Sequence, residues 1–291
     1  MDTNQETNED KFGEALNAQR FQMLEDIAKE LKGEIVFPTY FDADIRLRKE
    51  LQDPDLPTAR VASIVSLEPL IATKLMNLAN SVLYNPQGVV VRNLPAAITR
   101  IGFNQVKAVS LAVALSQMMR SKEMVGFGDL TRSLWVHSLK TAAAARLLAS
   151  TYTKINPDEA QLAGLVHDLG AFYMIYRATQ YAELRQRPET IKYLIVQWHE
   201  SIGISLLNAL GLPENIVEAA IDHDQPRPVP EVIRTLADTV YVANVLAGAR
   251  FEWLLQDLNT EAANPKLIHE LYGEHIPAIE AATKEMLSVF A

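Results

Sequence analysis

From about residue 13 onward, apolar residues recur at helical spacing almost without interruption, and no stretch shows the strict alternation of a half-buried strand. Val89-Val90-Val91 is too short a run to build a sheet on, so the pattern predicts an all-α protein with no significant sheet. Residues 1–12 carry no apolar periodicity and read as a disordered acidic tail.

Capping residues punctuate the helices. Thr58 is placed to cap a helix through Val65, Ser66 one carrying Leu70, Ile71, Leu75 and Leu78, and Asn93 one that begins with Pro95 and stops at Gly102. Asn104 restarts an apolar helix over about 106–119, and Gly126 and Gly128 break the chain before another over 130–152. Further helices are predicted at 157–169, 171–186, 189–210, 213–221 and 230–249, with a C-terminal pair opening at Pro265 and Pro277. Short connections favour antiparallel neighbours, which gives a compact irregular multi-helix bundle. A seam is expected near residue 126, between a helical part over 13–126 and a second over 127–250, with 251–291 as a helical extension. In that extension Leu271, Ile279, Met286 and Phe290 suit either a homodimer face or packing onto the body.

Composition narrows the chemistry. The 291 residues are 48% hydrophobic, ample for a buried core. Cysteine is absent, which excludes disulfides, thiolate zinc sites and thiol nucleophiles, so any metal must be held by His, Asp, Glu or Asn. A net charge of -9 without any Lys/Arg-rich run is the wrong sign for a phosphate backbone, and no nucleic-acid partner is expected. The N-terminus has no basic and apolar leader pattern and no stretch approaches a bilayer span, so a cytoplasmic location without membrane association is expected. No Walker-type loop, nucleophile elbow or dinucleotide fingerprint is present.

Four histidines draw attention as a set: His137 in SLWVHSLKTAAAA, His167 beside Asp168 in LAGLVHDLGA, His199 in VQWHESIG and His223 in AAIDHDQP. Within one helix a His-Asp doublet points its two side chains about 100° apart. Both reach one cation only if it sits off a helix end or the side chains converge, with further imidazoles arriving from other helices. The small residues from Thr141 to Ala145, and Gly203 four residues after His199, permit close helix approach, which suits either a crowded site or simple tight packing.

The ordered pattern His137, His167-Asp168 and then a late polar residue in VANVLAG resembles the HD superfamily. Its active members hold one or two divalent metals that activate water for phosphoester hydrolysis. The first half, FPTYFDADIRLRKELQDPDL, VASIVSLEPLIATKLMNLANSVLYN and LPAAITRIGFNQVKAVSLAVA, is similar to the HDOD signature, with Asn80-Ser81, Tyr84, Ala97-Ile98 and Gly102 as its specific elements. LWVHSLKTA, AGLVHDLGAFYM, LGLPENIVEAAIDH and VYVANVLAG follow the same order, so the resemblance covers about residues 30–250.

The resemblance implies an HD-type bundle with His137, His167, Asp168, His199 and His223 as metal ligands, Asp168 being the catalytic residue of an active member, and Asp224 and Asn244 further candidate ligands. The departures are specific. Asp224 and Gln225-Pro226 stand where cyclic di-GMP phosphodiesterases carry a further His and a Gly-Tyr-Pro signature, and Asn244 stands where the superfamily has its closing Asp. An amide is a weaker ligand than a carboxylate, and Asp238 can replace it only with a register shift. The expected function is therefore a non-catalytic signal-transduction module that binds a partner protein or small ligand, with Fe, Mn or Zn as the cofactor its residues suit. Two alternatives stand beside it: a metal-dependent phosphohydrolase acting on a nucleotide or cyclic dinucleotide, and a structural dimerisation scaffold.

Overall fold

A computed structural model describes residues 14–32, 37–53, 55–225, 227–248 and 265–290, so the predicted tail over 1–12 and the junction at 249–264 lie outside the described residues. Every regular element among the described residues is helical: α1 (Glu14–Lys32), a 3-10 turn (Thr39–Phe41), α2 (Asp42–Glu50), α3 (Thr58–Val65), α4 (Pro69–Asn80), α5 (Leu94–Met119), a 3-10 segment (Lys122–Phe127), α6 (Gly128–Tyr152), α7 (Pro157–Val166), α8 (Leu169–Ala178), α9 (Ala182–Arg185), α10 (Pro188–Ala209), α11 (Glu214–Ala219), α12 (Leu236–Leu246), α13 (Pro265–Tyr272), a 3-10 turn (Gly273–His275) and α14 (Ile276–Phe290).

Several starts follow from proline, whose missing N–H is harmless in a first turn: α4, α5, α7 and α10 all carry one there. Asn93 caps α5 as expected, accepting from the Ala96 N–H at 2.9 Å. Gly102, at φ 79 and ψ 164, interrupts that helix in a region that side-chain-bearing residues avoid. Thr58 and Ser66 are not N-caps. Pro57 fixes the entry to α3 with no side-chain bond, and Ser66 closes α3 with its Oγ donating back to the Ser63 carbonyl at 2.7 Å. The helix expected over 230–249 begins only at Leu236, where Thr235 and Asp238 form a reciprocal capping box.

Long α6 is the axis of the second half, with α7, α12 and α14 packed along it and α8 against α10. Its alanine-rich stretch lets α7 come very close: a Cβ on Gly164 would lie 2.8 Å from the Thr141 carbonyl oxygen. The C-terminal helices also belong to this body. Ile279, Met286 and Phe290 are buried, and the Phe290 ring meets Trp135 edge-on at 5.8 Å between centroids. They are therefore not a free face for a second copy, and of the four residues considered for that role only Leu271 remains exposed.

A half-buried polar node joins the first half to α6 and α7. The Tyr84 hydroxyl (3.2 Å), the Gln105 amide (3.0 Å) and the Arg146 guanidinium all donate to Oδ1 of Asp158, and Gln105 donates to Gln161 at 3.3 Å. Asn156 caps α7 two residues before Asp158, accepting its N–H at 2.8 Å. Asp158→Ala removes the shared acceptor while Gln105 stays buried, and should cost about 1–3 kcal/mol. The check is a urea melt, with a lower midpoint at unchanged slope; an unshifted midpoint would show that the node contributes nothing.

Candidate metal centre

The His-Asp doublet solves its angular problem by leaving the helix. Helix α7 ends at Val166, His167 is its C-cap (φ -54, ψ -33), and Asp168 (φ -100, ψ 19) precedes α8. Both side chains therefore leave a two-residue junction and are not bound to helical angular spacing. His137 arrives from mid-α6, His199 from α10, and His223 from the turn after α11. That turn passes through Asp222 at φ 54, the one non-glycine residue with positive φ among the described residues, and its sharp reversal delivers His223 and Asp224 together.

Three of the imidazoles are oriented by local carbonyls. Nδ1 of His167 lies 2.8 Å from the Gly164 oxygen, Nδ1 of His199 2.6 Å from Ile195, and Nδ1 of His223 2.8 Å from Ala220. A carbonyl only accepts, so each Nδ1 carries the proton and donates, and the neutral ring keeps its lone pair on Nε2. Those Nε2 atoms converge on Asp168. Its Oδ1 lies 3.2 Å from His223 and 3.6 Å from His199, and its Oδ2 3.3 Å from His167 and 3.7 Å from His137. The Nε2–Nε2 distances are 3.3 Å for His137–His167 and 3.3 Å for His199–His223. Oδ2 of Asp224 completes the second pair at 3.5 Å from His199 and 3.7 Å from His223.

These spacings fit a divalent metal. Donors sharing a first-row ion with bonds of about 2.0–2.1 Å stand roughly 3.0–3.4 Å apart. Two lone pairs facing each other at 3.3 Å, as in His199 and His223, repel unless a cation or a proton lies between them. The donors form two groups, His137, His167 and Asp168 in one and Asp168, His199, His223 and Asp224 in the other, with Asp168 common to both.

The crowding of these groups also sets their electrostatics. Burial works to raise Asp168 and Asp224, but the surrounding imidazoles, His167 foremost for Asp168 and His223 foremost for Asp224, hold both carboxylates below their usual range. Burial pushes His167 down to about 4, against the pull of Asp168. For His223 burial also acts downward, yet Asp224 and Asp168 outweigh it and raise the imidazole to about 10. His199 is raised as well, burial being outweighed by Asp224 and Asp168.

All five predicted ligands, and Asp224, thus meet at one place, whereas Asp238 does not. Its carboxylate caps α12 through the Arg234 and Thr235 N–H groups and faces Arg227 at 3.4 Å. Asn244 is buried beside the centre and donates from Nδ2 to Oδ1 of Asp224 (2.8 Å) and to the His223 carbonyl (3.1 Å). The sequence marks Asn244 as a possible ligand weaker than a carboxylate but does not disclose this contact; its one visible signal is an amide within the apolar run VYVANVL. Nor does the sequence mark Gly170. A Cβ there would sit 1.9 Å from the His199 carbonyl oxygen, so glycine is what lets α8 and α10 cross at the site.

The fold has solved counterparts. A Shewanella amazonensis SB2B protein named "Putative metal-dependent phosphohydrolase" is 22% identical, with 94% of this chain and 100% of that chain covered at a TM-score of 0.71. An HDOD domain protein of unknown function from Geobacter sulfurreducens is 19% identical, with 92% and 98% covered at a TM-score of 0.57. At such identities the likeness is one of fold. An uncharacterized protein of Treponema pallidum (strain Nichols) is 23% identical over 215 residues, 69% of this chain and 40% of that protein, so the chain spans less than half of that relative. No helix among the described residues is long and apolar enough to cross a membrane. A family model for the HDOD domain matches residues 37–226, which hold His137, His167, Asp168, His199, His223 and Asp224, and the chain belongs to the HDOD domain family.

Proposed function

We propose that this chain is a regulatory HDOD module that holds a divalent metal, Zn, Mn or Fe, on His137, His167, Asp168, His199, His223 and Asp224, and offers its helical surface to a signalling partner or small ligand. The observation that carries the reading is the convergence of Nε2 lone pairs on Asp168, with three of the rings oriented by carbonyls at Nδ1. Nitrogen and oxygen donors without sulfur suit those three ions. Burial favours a resident ion over a substrate that comes and goes: of the six side chains only His137, at 9%, and Asp224, at 16%, are more than 5% exposed. When bound, the metal would supply fixed positive charge and Lewis acidity at the junction of α6, α7, α8 and α10. The protein's own part is to orient the imidazoles, divide the Asp168 carboxylate between two imidazole pairs and keep water out.

Elemental analysis of the purified full chain should find metal, and adding Zn or Mn to stripped protein should raise its Tm. An ion at about 1,000 times its Kd stabilises by about 4 kcal/mol. Stripped protein whose Tm ignores both ions would end this reading.

Binding should also be proton-linked. His223 is raised from 6.5 to about 10, so at neutral pH the metal-free ring carries a proton that the ion must displace. Apparent affinity should therefore climb with pH up to about 10, by about tenfold per unit for one proton. The same shift stabilises the metal-free fold below 6.5, a contribution lost as pH rises towards about 10. Calorimetry in buffers of different ionisation enthalpy would detect the released proton; a buffer-independent heat would contradict the linkage.

One observation favours a second reading, a metal-dependent phosphohydrolase: two ligand groups meet on one carboxylate, as in centres that clamp a phosphoester between two ions. Manganese-loaded protein turning over bis(p-nitrophenyl) phosphate, with the activity lost in Asp168→Asn, would support it. Loaded protein without turnover removes this reading and leaves the first intact.

A further inference from the structure

We propose that the two ligand groups are unequal cation subsites, one closed by His199, His223, Asp168 and Asp224, with Asn244 positioning Asp224, and one more open, with His137, His167 and Asp168 as its imidazole and carboxylate donors among the described residues. The inference rests on the metal-holding reading above and goes further by assigning a rank to the two positions and a role to Asn244.

The arrangement is asymmetric in its donors. The closed group offers four ligand atoms within 4.8 Å of one another and the open group three. Sites with four protein ligands retain their ion, whereas those with three keep a position for water or another ligand. Among the described residues the Thr141 hydroxyl also stands near the open group, 3.5 Å from Nε2 of His137, a neutral and weaker donor than a carboxylate.

Asp224 divides its two oxygens between two tasks. Oδ2 faces His199 and His223 at 3.5 and 3.7 Å, while Oδ1 accepts from the Asn244 amide at 2.8 Å. The same amide group donates to the His223 carbonyl at 3.1 Å, so one side chain ties down the backbone of one ligand and the carboxylate of the next. An aspartate at 244 would set a second negative charge against Asp224 and remove the donor. Asn244 is thus a positioning residue for the closed subsite. Asp222, with φ 54, adds the chain reversal that brings 223 and 224 in together.

Titrating the stripped full chain with Co2+ and Zn2+ against a competing chelator tests this. The wild type should bind one equivalent tightly and a second at least roughly 100-fold more weakly. His137→Ala should remove only the weak equivalent, and Asp224→Ala, together with its shape-preserving partner Asp224→Asn, only the tight one. Asn244→Ala should weaken the tight equivalent by about 10–100-fold, change the visible absorption of its Co2+, and leave the weak equivalent where it was. A merely structural role for Asn244 would shift both equivalents alike, and would overturn the positioning assignment. A tight equivalent that survives Asp224→Asn but not His137→Ala overturns the ranking. Wild-type protein that takes up neither ion overturns the metal-holding reading itself.

Discussion

Asp168→Ala is expected to abolish both equivalents of metal at once, lowering affinity by more than about 1,000-fold, or about 4 kcal/mol, at each position. No other residue belongs to both ligand groups. Each of its oxygens faces a different imidazole pair, so its loss deprives both groups of their shared charge, whereas loss of His199 or His137 touches one. The metal-free protein should suffer too. His223 keeps its proton because Asp224 and Asp168 outweigh burial, and breaking a buried pair of this kind costs about 3–5 kcal/mol. The variant's His223 can lose that proton instead, which limits the damage as pH rises. The destabilisation relative to wild type should therefore be greatest below 6.5 and fade towards about 10. Urea melts at pH 6 and pH 9, with and without Zn, would show this. Retention of one full-strength equivalent would mean that Asp168 is not shared.

How much of this was legible in the sequence depended on whether a residue acts through its own type or through its surroundings. The candidate set His137, His167, Asp168, His199 and His223 was legible because imidazole and carboxylate are recognisable donor types and the HDOD pattern orders them. The helical class was legible because apolar spacing is a local property, and Asn93 and Gly102 were legible because each has a local conformational duty. Thr58 and Ser66 look like N-caps, but the nearby prolines at 57 and 69 compete with them locally and set the entries to α3 and α4. The rest depends on distant partners. Asn244 reads only as a weaker possible ligand, and its second contact, to Asp224 2.8 Å from its amide, shows only in the fold. Tyr84, Gln105, Arg146 and Asp158 are spread over 75 positions of sequence and reveal their common node only once α5, α6 and α7 are packed.

Gly170→Ala should be among the most damaging single-methyl changes this chain can receive, because the atoms its Cβ would meet are all backbone. They are the His199 carbonyl oxygen at 1.9 Å, the Gly203 nitrogen at 2.6 Å and the His199 carbonyl carbon at 2.8 Å. No rotamer change relieves such a clash, so α8 and α10 must move apart by roughly 1.5 Å to regain ordinary contact. Overpacking of this kind costs about 3 kcal/mol or more, a fall in Tm of roughly 6 °C or more. The displacement also carries His199, whose Nε2 must stay close to that of His223, 3.3 Å away, for one ion with bonds of about 2 Å to join them. Metal held by His199 and His223 should therefore be lost, while His137 and His167, on α6 and at the end of α7, keep theirs. Gly203→Ala is the control on the facing helix: its Cβ would come no nearer than 3.3 Å, to the Gly170 nitrogen, and a shift of a few tenths of an ångström accommodates it. If the two variants melt alike and bind alike, the close crossing of α8 and α10 is not what holds His199 in place.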